Sequence, residues 1–191
     1  MNATAGDLAP SSRVLTVPNL ISAVRIALIP AFVALIVDPD TTATGLILFG
    51  GVMATDWVDG LVARRTGQVS ELGKVLDPVA DRLAIAAGLV ALAVRGVFPW
   101  WAATTILIRD LAVLVVAIVL FRRDIRIEVR WIGKIATFSL MTAIPFVSWG
   151  NLDLPLAAAA TVIGWAAYAA GILEYYAAGI VYLRDVRREL S

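Results

Sequence analysis

The chain has no cysteine and no histidine, and only 16% of its 191 residues are charged. The first absence excludes disulfides, thiol nucleophiles and thiolate metal sites. The second leaves proton transfer near neutral pH to a carboxylate, a lysine, a tyrosine or water. A water-soluble domain would carry about 25% charged residues, whereas 60% of this chain is hydrophobic and its mean hydropathy is +0.86. That is the composition of a membrane protein. Sixteen Lys and Arg stand against 15 Asp and Glu, so no bulk basicity points to a nucleic-acid partner.

What is present is a series of long apolar stretches. A hydrocarbon core of about 30 Å needs roughly 20 apolar residues per helix, and six stretches qualify as helices: 18–37, 42–65, 71–95, 98–121, 131–149 and 154–183. The predicted fold class is therefore all-α and integral to the membrane. Residues 1–17 read as a loosely ordered cytoplasmic tail without the basic and apolar regions of a secretory signal. Residues 18–183 read as a six-helix transmembrane domain, and 184–191 as a basic cytoplasmic tail. Twelve cations (Arg13, Arg64, Arg65, Lys74, Arg122, Arg123, Arg126, Arg130, Lys134, Arg184, Arg187 and Arg188) lie at one set of helix ends and only Arg95 at the other. The asymmetry predicts that both termini and the 66–72 and 122–130 loops are cytoplasmic. Trp100 and Trp101 open the fourth stretch, where an interfacial aromatic belt accounts for them. The 122–130 loop reads equally as a short amphipathic segment or a solvated loop.

The second and third stretches break the apolar pattern. "TATGLILFGGVMA" runs into "TDWVDGLVARR", and "ELGKVLDPVADR" precedes "LAIAAGLVALAV". Asp56 and Asp59 are three apart and Asp77 and Asp81 four apart, so each pair shares a helix face. The short connection predicts antiparallel neighbours whose four carboxylates converge near the cytoplasmic end. Four clustered anions in a membrane helix repel one another and are costly to insert. Arg64 and Arg82 would offset part of that charge. Divalent metals offset it better, because oxygen-only ligands suit Mg²⁺, Mn²⁺ or Ca²⁺, and a metal pair clamps the oxygens of phosphoryl transfer. Gly60, Ala63 and Gly73 leave room for a phosphate-bearing ligand, and Arg64 offers a planar fork to its oxygens. A structural Asp/Arg network and an ion pathway, as in a small ion transporter, are the alternatives.

The pattern Asp56-x2-Asp59-Gly60-x2-Ala63-Arg64-x8-Gly73-x3-Asp77-x3-Asp81 resembles, at every motif position, the signature of the CDP-alcohol phosphotransferases, membrane enzymes with a six-helix bundle, and the likeness covers essentially the whole chain. The resemblance implies that Asp56, Asp59, Asp77 and Asp81 bind two divalent ions, Mg²⁺ or Mn²⁺, and that Asp81 also acts as general base. It implies that Gly60, Ala63, Arg64 and Gly73 hold the CDP moiety, and that the chain forms a homodimer in a bacterial plasma membrane. "PNLISAVR" is similar to the family's first helix, which assigns Asn19 and Arg25 to the nucleotide or the acceptor.

Within the family, "LDPVADR" is similar to the branch holding phosphatidylglycerophosphate synthases and single-displacement cardiolipin synthases. "RGVFPWW", "IRDLAV" and "GKIATFSLMTAIPF" are similar to the actinobacterial cardiolipin synthases. They depart from phosphatidylglycerophosphate synthases, whose fifth helix usually carries a second lysine soon after Gly-Lys, where this chain has Ile135-Ala136-Thr137. The resemblance thus implies CDP-diacylglycerol as donor and phosphatidylglycerol as acceptor, with glycerol 3-phosphate as the alternative. Arg109, Arg130 and Lys134 are the candidates for holding either acceptor, with snorkelling to the interface as their other explanation.

Overall fold

The computed structural model describes residues 17–66, 71–122, 131–152 and 154–189, with side chains at 20–55, 79–115, 137–152 and 154–176. Its order is α1 (Val17–Val37), α2 (Thr42–Thr66), α3 (Glu71–Val94), α4 (Trp100–Arg122), α5 (Trp131–Gly150) and α6 (Ala157–Glu189), with no strand among the described residues. The expected boundaries hold to within about two residues except at α6. That helix begins three residues late because Pro155 is followed by Leu156 with φ of +65°, a left-handed conformation incompatible with a continuing helix. It also runs on through the segment read as a basic tail. Its 33 residues measure about 50 Å at 1.5 Å each, more than a bilayer core requires, so apolarity ends before the helix does.

Two helices are long and apolar enough to cross a membrane on the described residues, over Leu20–Val37 and Ala157–Tyr176, with a shorter apolar run at Thr42–Thr55. In α2 and α3 the motif halves interrupt the apolar run, and α4 carries Arg109 and Asp110 at its middle.

The chain divides into two compact units, Met1–Arg95 and Gly96–Ser191. In the first, α1 packs along both α2 and α3, while α2 and α3 touch over a shorter stretch. The neighbouring pair expected from the short 67–70 connection is thus largely parted by α1. Gly45 lets α2 approach closely: a Cβ there would lie 2.6 Å from the Ile36 nitrogen. Phe49 of α2 meets Phe32 of α1 with ring centroids 5.3 Å apart, both rings fully buried. Gly88 of α3 makes room for Phe49, since a Cβ would run into its ring. Asp38 closes the α1–α2 turn by accepting from the Asp40 nitrogen through its side chain (2.9 Å).

In the second unit α5 and α6 form an antiparallel pair held by close backbone approach. A Cβ on Gly164 would come 2.5 Å from the Val147 nitrogen. Asn151 Nδ2 donates to the Val97 carbonyl (2.9 Å), tying the end of α5 to the turn before α4. Trp101 stacks on Trp165 (5.4 Å, 13°) and meets Tyr168 edge-on at 5.7 Å. The exposed Trp100 and Trp101 therefore include one ring that also packs α4 to α6.

Candidate active site

The register of the first unit follows from one hydrogen bond. Arg95, just past α3, donates from Nε to the Thr42 hydroxyl at the start of α2 (3.0 Å). From that shared end, Asp56 is fourteen residues along α2 and Asp81 fourteen residues back along α3. At 1.5 Å per residue both lie about 21 Å from it. Asp59 and Asp77 lie about 25 and 27 Å away by the same measure. The four motif positions therefore occupy about 6 Å of depth at the end of the unit remote from Thr42 and Arg95.

Arg25 of α1 reaches the same level. Its Nη1 donates to Asp81 Oδ1 in an ion pair. The arginine side chain is only 3% exposed and the aspartate 33%, so a deeply buried cation meets a carboxylate that water can still reach. Ser22, one turn earlier on α1, is also buried. Beside Arg25 a cavity of about 370 Å³ opens between α1 and α2. It ends near Thr55, whose hydroxyl donates to the Val52 carbonyl (2.6 Å).

Asp56, Asp59, Gly60, Ala63 and Arg64 lie on the described backbone of α2, Gly73 and Asp77 on that of α3, Asn19 on α1 and Lys134 in the first turn of α5. Their side chains, and the whole of Arg130, fall outside the described residues. Among described side chains no three metal-ligating groups come together. The four motif positions at the shared depth are aspartates, whose carboxylates fit hard divalent cations taking oxygen ligands.

The second unit holds its own polar cluster. Arg109 of α4, 8% exposed, donates to Asp110 Oδ1 (2.7 Å) and to the Thr137 hydroxyl of α5 (3.0 Å). Its guanidinium also lies 5.4 Å from the centre of the Tyr175 ring of α6, within cation–π range. One residue earlier on α6, Glu174 accepts from the Ser139 hydroxyl (3.4 Å). Ser139, Glu174 and Tyr175 had no role in the sequence reading, and Thr137 entered it only as part of the segment that lacks a second lysine. They are 28 to 66 positions from Arg109, and only their polarity within apolar helices marked them.

Apolar helices that carry four aspartate positions at one depth, with a buried arginine at that depth, are the setting in which the comparisons with known proteins are read. Residues 15–173 match the family model of CDP-alcohol phosphatidyltransferase, and the chain belongs to that family. It is 39% identical over 186 residues to the cardiolipin synthase (CMP-forming) of Streptomyces coelicolor, covering 93% of this chain and 86% of the relative. Two relatives carry the name CDP-diacylglycerol–glycerol-3-phosphate 3-phosphatidyltransferase. That of Bacillus subtilis is 34% identical over 73% of this chain and 79% of its own length, and that of Escherichia coli 30% over 92% and 93%. The chain is thus a phosphatidyltransferase of phospholipid biosynthesis, from a membrane family that uses divalent metal ions, with a CDP-linked donor and an alcohol acceptor. The ion-transporter alternative gains no support.

Proposed function

We propose that the chain transfers the phosphatidyl group of CDP-diacylglycerol to a free glycerol hydroxyl of phosphatidylglycerol, giving cardiolipin and CMP. The observation that carries the choice of acceptor is Thr137 of α5, whose hydroxyl accepts a hydrogen bond from Arg109. A small dianion such as glycerol 3-phosphate needs several uncommitted cations at its phosphate, whereas phosphatidylglycerol brings one phosphodiester charge and an uncharged hydroxyl. Thr137 stands in the segment where the glycerol-3-phosphate enzymes usually carry a further lysine. The name of the Streptomyces relative points the same way.

In this reading all six helices span a bacterial plasma membrane, with 18–183 as the catalytic domain, the flanking segments and the site cytoplasmic, and the chain paired as a homodimer. Asp56, Asp59, Asp77 and Asp81 would hold two divalent ions, Mg²⁺ or Mn²⁺, which when bound would supply positive charge for phosphate oxygens. Gly60, Ala63 and Gly73 leave space for the CDP moiety, Arg64 binds its phosphate oxygens, and Asn19 and Arg25 flank the nucleotide. Arg25 orients the Asp81 carboxylate, which accepts the proton of the acceptor hydroxyl. That oxygen forms a bond to the lipid-side phosphorus as the bond to CMP breaks, and CMP leaves with the electron pair. No histidine or cysteine is present to carry a phosphoryl group, which favours a single displacement. Arg109, Arg130 and Lys134 are the acceptor-side cations.

The test uses purified protein in detergent with CDP-diacylglycerol and Mg²⁺ or Mn²⁺, supplied in parallel with phosphatidylglycerol or glycerol 3-phosphate. Cardiolipin and CMP formed with phosphatidylglycerol alone are expected. Product from glycerol 3-phosphate alone would make the chain a phosphatidylglycerophosphate synthase.

A further inference from the structure

The polar cluster of the second unit contains a carboxylate that packing alone does not explain. Glu174 lies inside the apolar run Ala157–Tyr176 of α6 and is half-buried. A charged side chain in such a run is costly to place and ordinarily meets an opposite charge. Arg109, the cation of the cluster, is instead taken by Asp110 (2.7 Å). Glu174 has a hydroxyl for its partner among the described residues: Ser139 donates to its Oε2 (3.4 Å). A glutamine would accept the same hydrogen bond, so what glutamate adds at this position is the charge. The cluster ties that charge to the residues of the acceptor side. Ser139 is two residues beyond Thr137 on α5, and Thr137 accepts from Arg109 (3.0 Å). Tyr175, next to Glu174, lies against the Arg109 guanidinium, 5.4 Å from carbon to ring centre. The buried Nε–H of Arg109 has no hydrogen-bond partner among the described residues, a donor left for an oxygen from outside the cluster.

We propose that Glu174 determines acceptor selectivity: its charge disfavours acceptors bearing a phosphomonoester dianion and tolerates those whose phosphate is a diester. The inference rests on the reading of the chain as a phosphatidyltransferase whose acceptor is held beside Thr137 and Arg109. Phosphatidylglycerol and glycerol 3-phosphate both offer two adjacent hydroxyls of a glycerol, so hydrogen bonds to those hydroxyls do not tell them apart. Their phosphates differ by up to one unit of charge near neutral pH. A carboxylate within about 10 Å of that extra charge weakens binding on the order of tenfold at the effective dielectric of a protein. Ser139 and Tyr175 put Glu174 beside the Arg109–Thr137 pair, where such a charge would be felt. Discrimination of this kind comes from a repulsive group set against the wrong ligand.

The test follows cardiolipin formation from CDP-diacylglycerol and phosphatidylglycerol by the detergent-purified protein with Mg²⁺, with glycerol 3-phosphate added as competitor. The quantity read is the ratio of the inhibition constant of glycerol 3-phosphate to the KM for phosphatidylglycerol. Glu174→Gln keeps the hydrogen bond and removes the charge; it should lower that ratio on the order of tenfold. Glu174→Ser, a second uncharged polar variant, should lower it by a similar factor. Glu174→Asp retains the charge and should leave the ratio unchanged. Ser139→Ala removes the hydrogen bond alone and should also leave it unchanged. A wild-type ratio in Glu174→Gln and Glu174→Ser, or failure of glycerol 3-phosphate to compete in either, would overturn the proposal. So would an equal fall in Glu174→Asp or Ser139→Ala, which would give the effect to packing or hydrogen bonding instead of charge. A wild-type protein that makes no cardiolipin from phosphatidylglycerol would refute the functional reading beneath it.

Discussion

Removing Asp81 should harm the fold more than removing Arg25, and removing both should do no more harm than removing Asp81 alone. The reasoning starts from the exposures, 3% for the arginine and 33% for the aspartate. Asp81→Asn takes from the buried Arg25 guanidinium the carboxylate that accepts from its Nη1. Breaking a fully buried pair costs about 3–5 kcal/mol, and the partial exposure of Asp81 reduces that to about 2 kcal/mol. Arg25→Met substitutes an apolar chain of similar length and leaves a carboxylate that water can solvate, for about 1 kcal/mol. The double variant loses the same ion pair once rather than twice, so the coupling between the two changes should be about 1.5–2 kcal/mol. For a chain of this size 2 kcal/mol is roughly 4–8 °C in melting temperature. Tryptophan fluorescence during heating of the detergent-purified protein, with chelator present so that bound metal plays no part, reads the four proteins of the cycle. Simple additivity, with coupling below about 0.5 kcal/mol, would refute the pairing of Arg25 with Asp81.

Other expectations follow from single positions. Asp56→Asn should abolish CMP release and leave no response to added Mg²⁺ or Mn²⁺ in a metal titration; activity restored by excess metal would remove Asp56 from the essential ligands. Gly164→Val drives a side chain against the Val147 backbone and should cost about 2 kcal/mol or more, seen as a fall in melting temperature of at least several degrees. Leu156→Gly relieves the left-handed conformation of an exposed residue and should stabilise by about 1 kcal/mol, a gain of roughly 2–4 °C in the same assay.

The helices were legible from their apolar runs, although α2 and α3 carry on through the polar motif halves and, on the described residues, only Leu20–Val37 and Ala157–Tyr176 are long and apolar enough to cross a membrane. The sixth shows the limit of that signal. Leu154 and Leu156 are apolar enough to extend it, yet Pro155 and the backbone of Leu156 place a turn there. At the other end polar residues continue the helix, because nothing in "RDVRRE" breaks helical geometry. The motif aspartates were legible as pairs from their spacing, but their common depth required the Thr42–Arg95 bond between chain segments 53 residues apart. That α2 and α3 each pack more on α1 than on one another was not legible, since a four-residue connection ordinarily joins neighbours. A clue was present in Arg25: a cation in the middle of "LISAVRIALI" needs a partner from another helix, and Asp81 supplies it. The cluster around Arg109 gave a weaker clue, because a buried arginine could equally have been satisfied by the adjacent Asp110 alone.

The two equal arms from the Thr42–Arg95 bond to Asp56 and Asp81 act as a caliper. One residue inserted in a single arm would turn everything beyond it by about 100° and shift it by 1.5 Å, parting one jaw from the other. Length can change without loss only if both arms change together and by whole repeats of the helix, about seven residues or roughly 10 Å at a step. Adjustment of this enzyme to a bilayer of different thickness is thereby directed away from α2 and α3. It falls to helices that carry no jaw, of which α6, already longer than a membrane requires, has the most length to give.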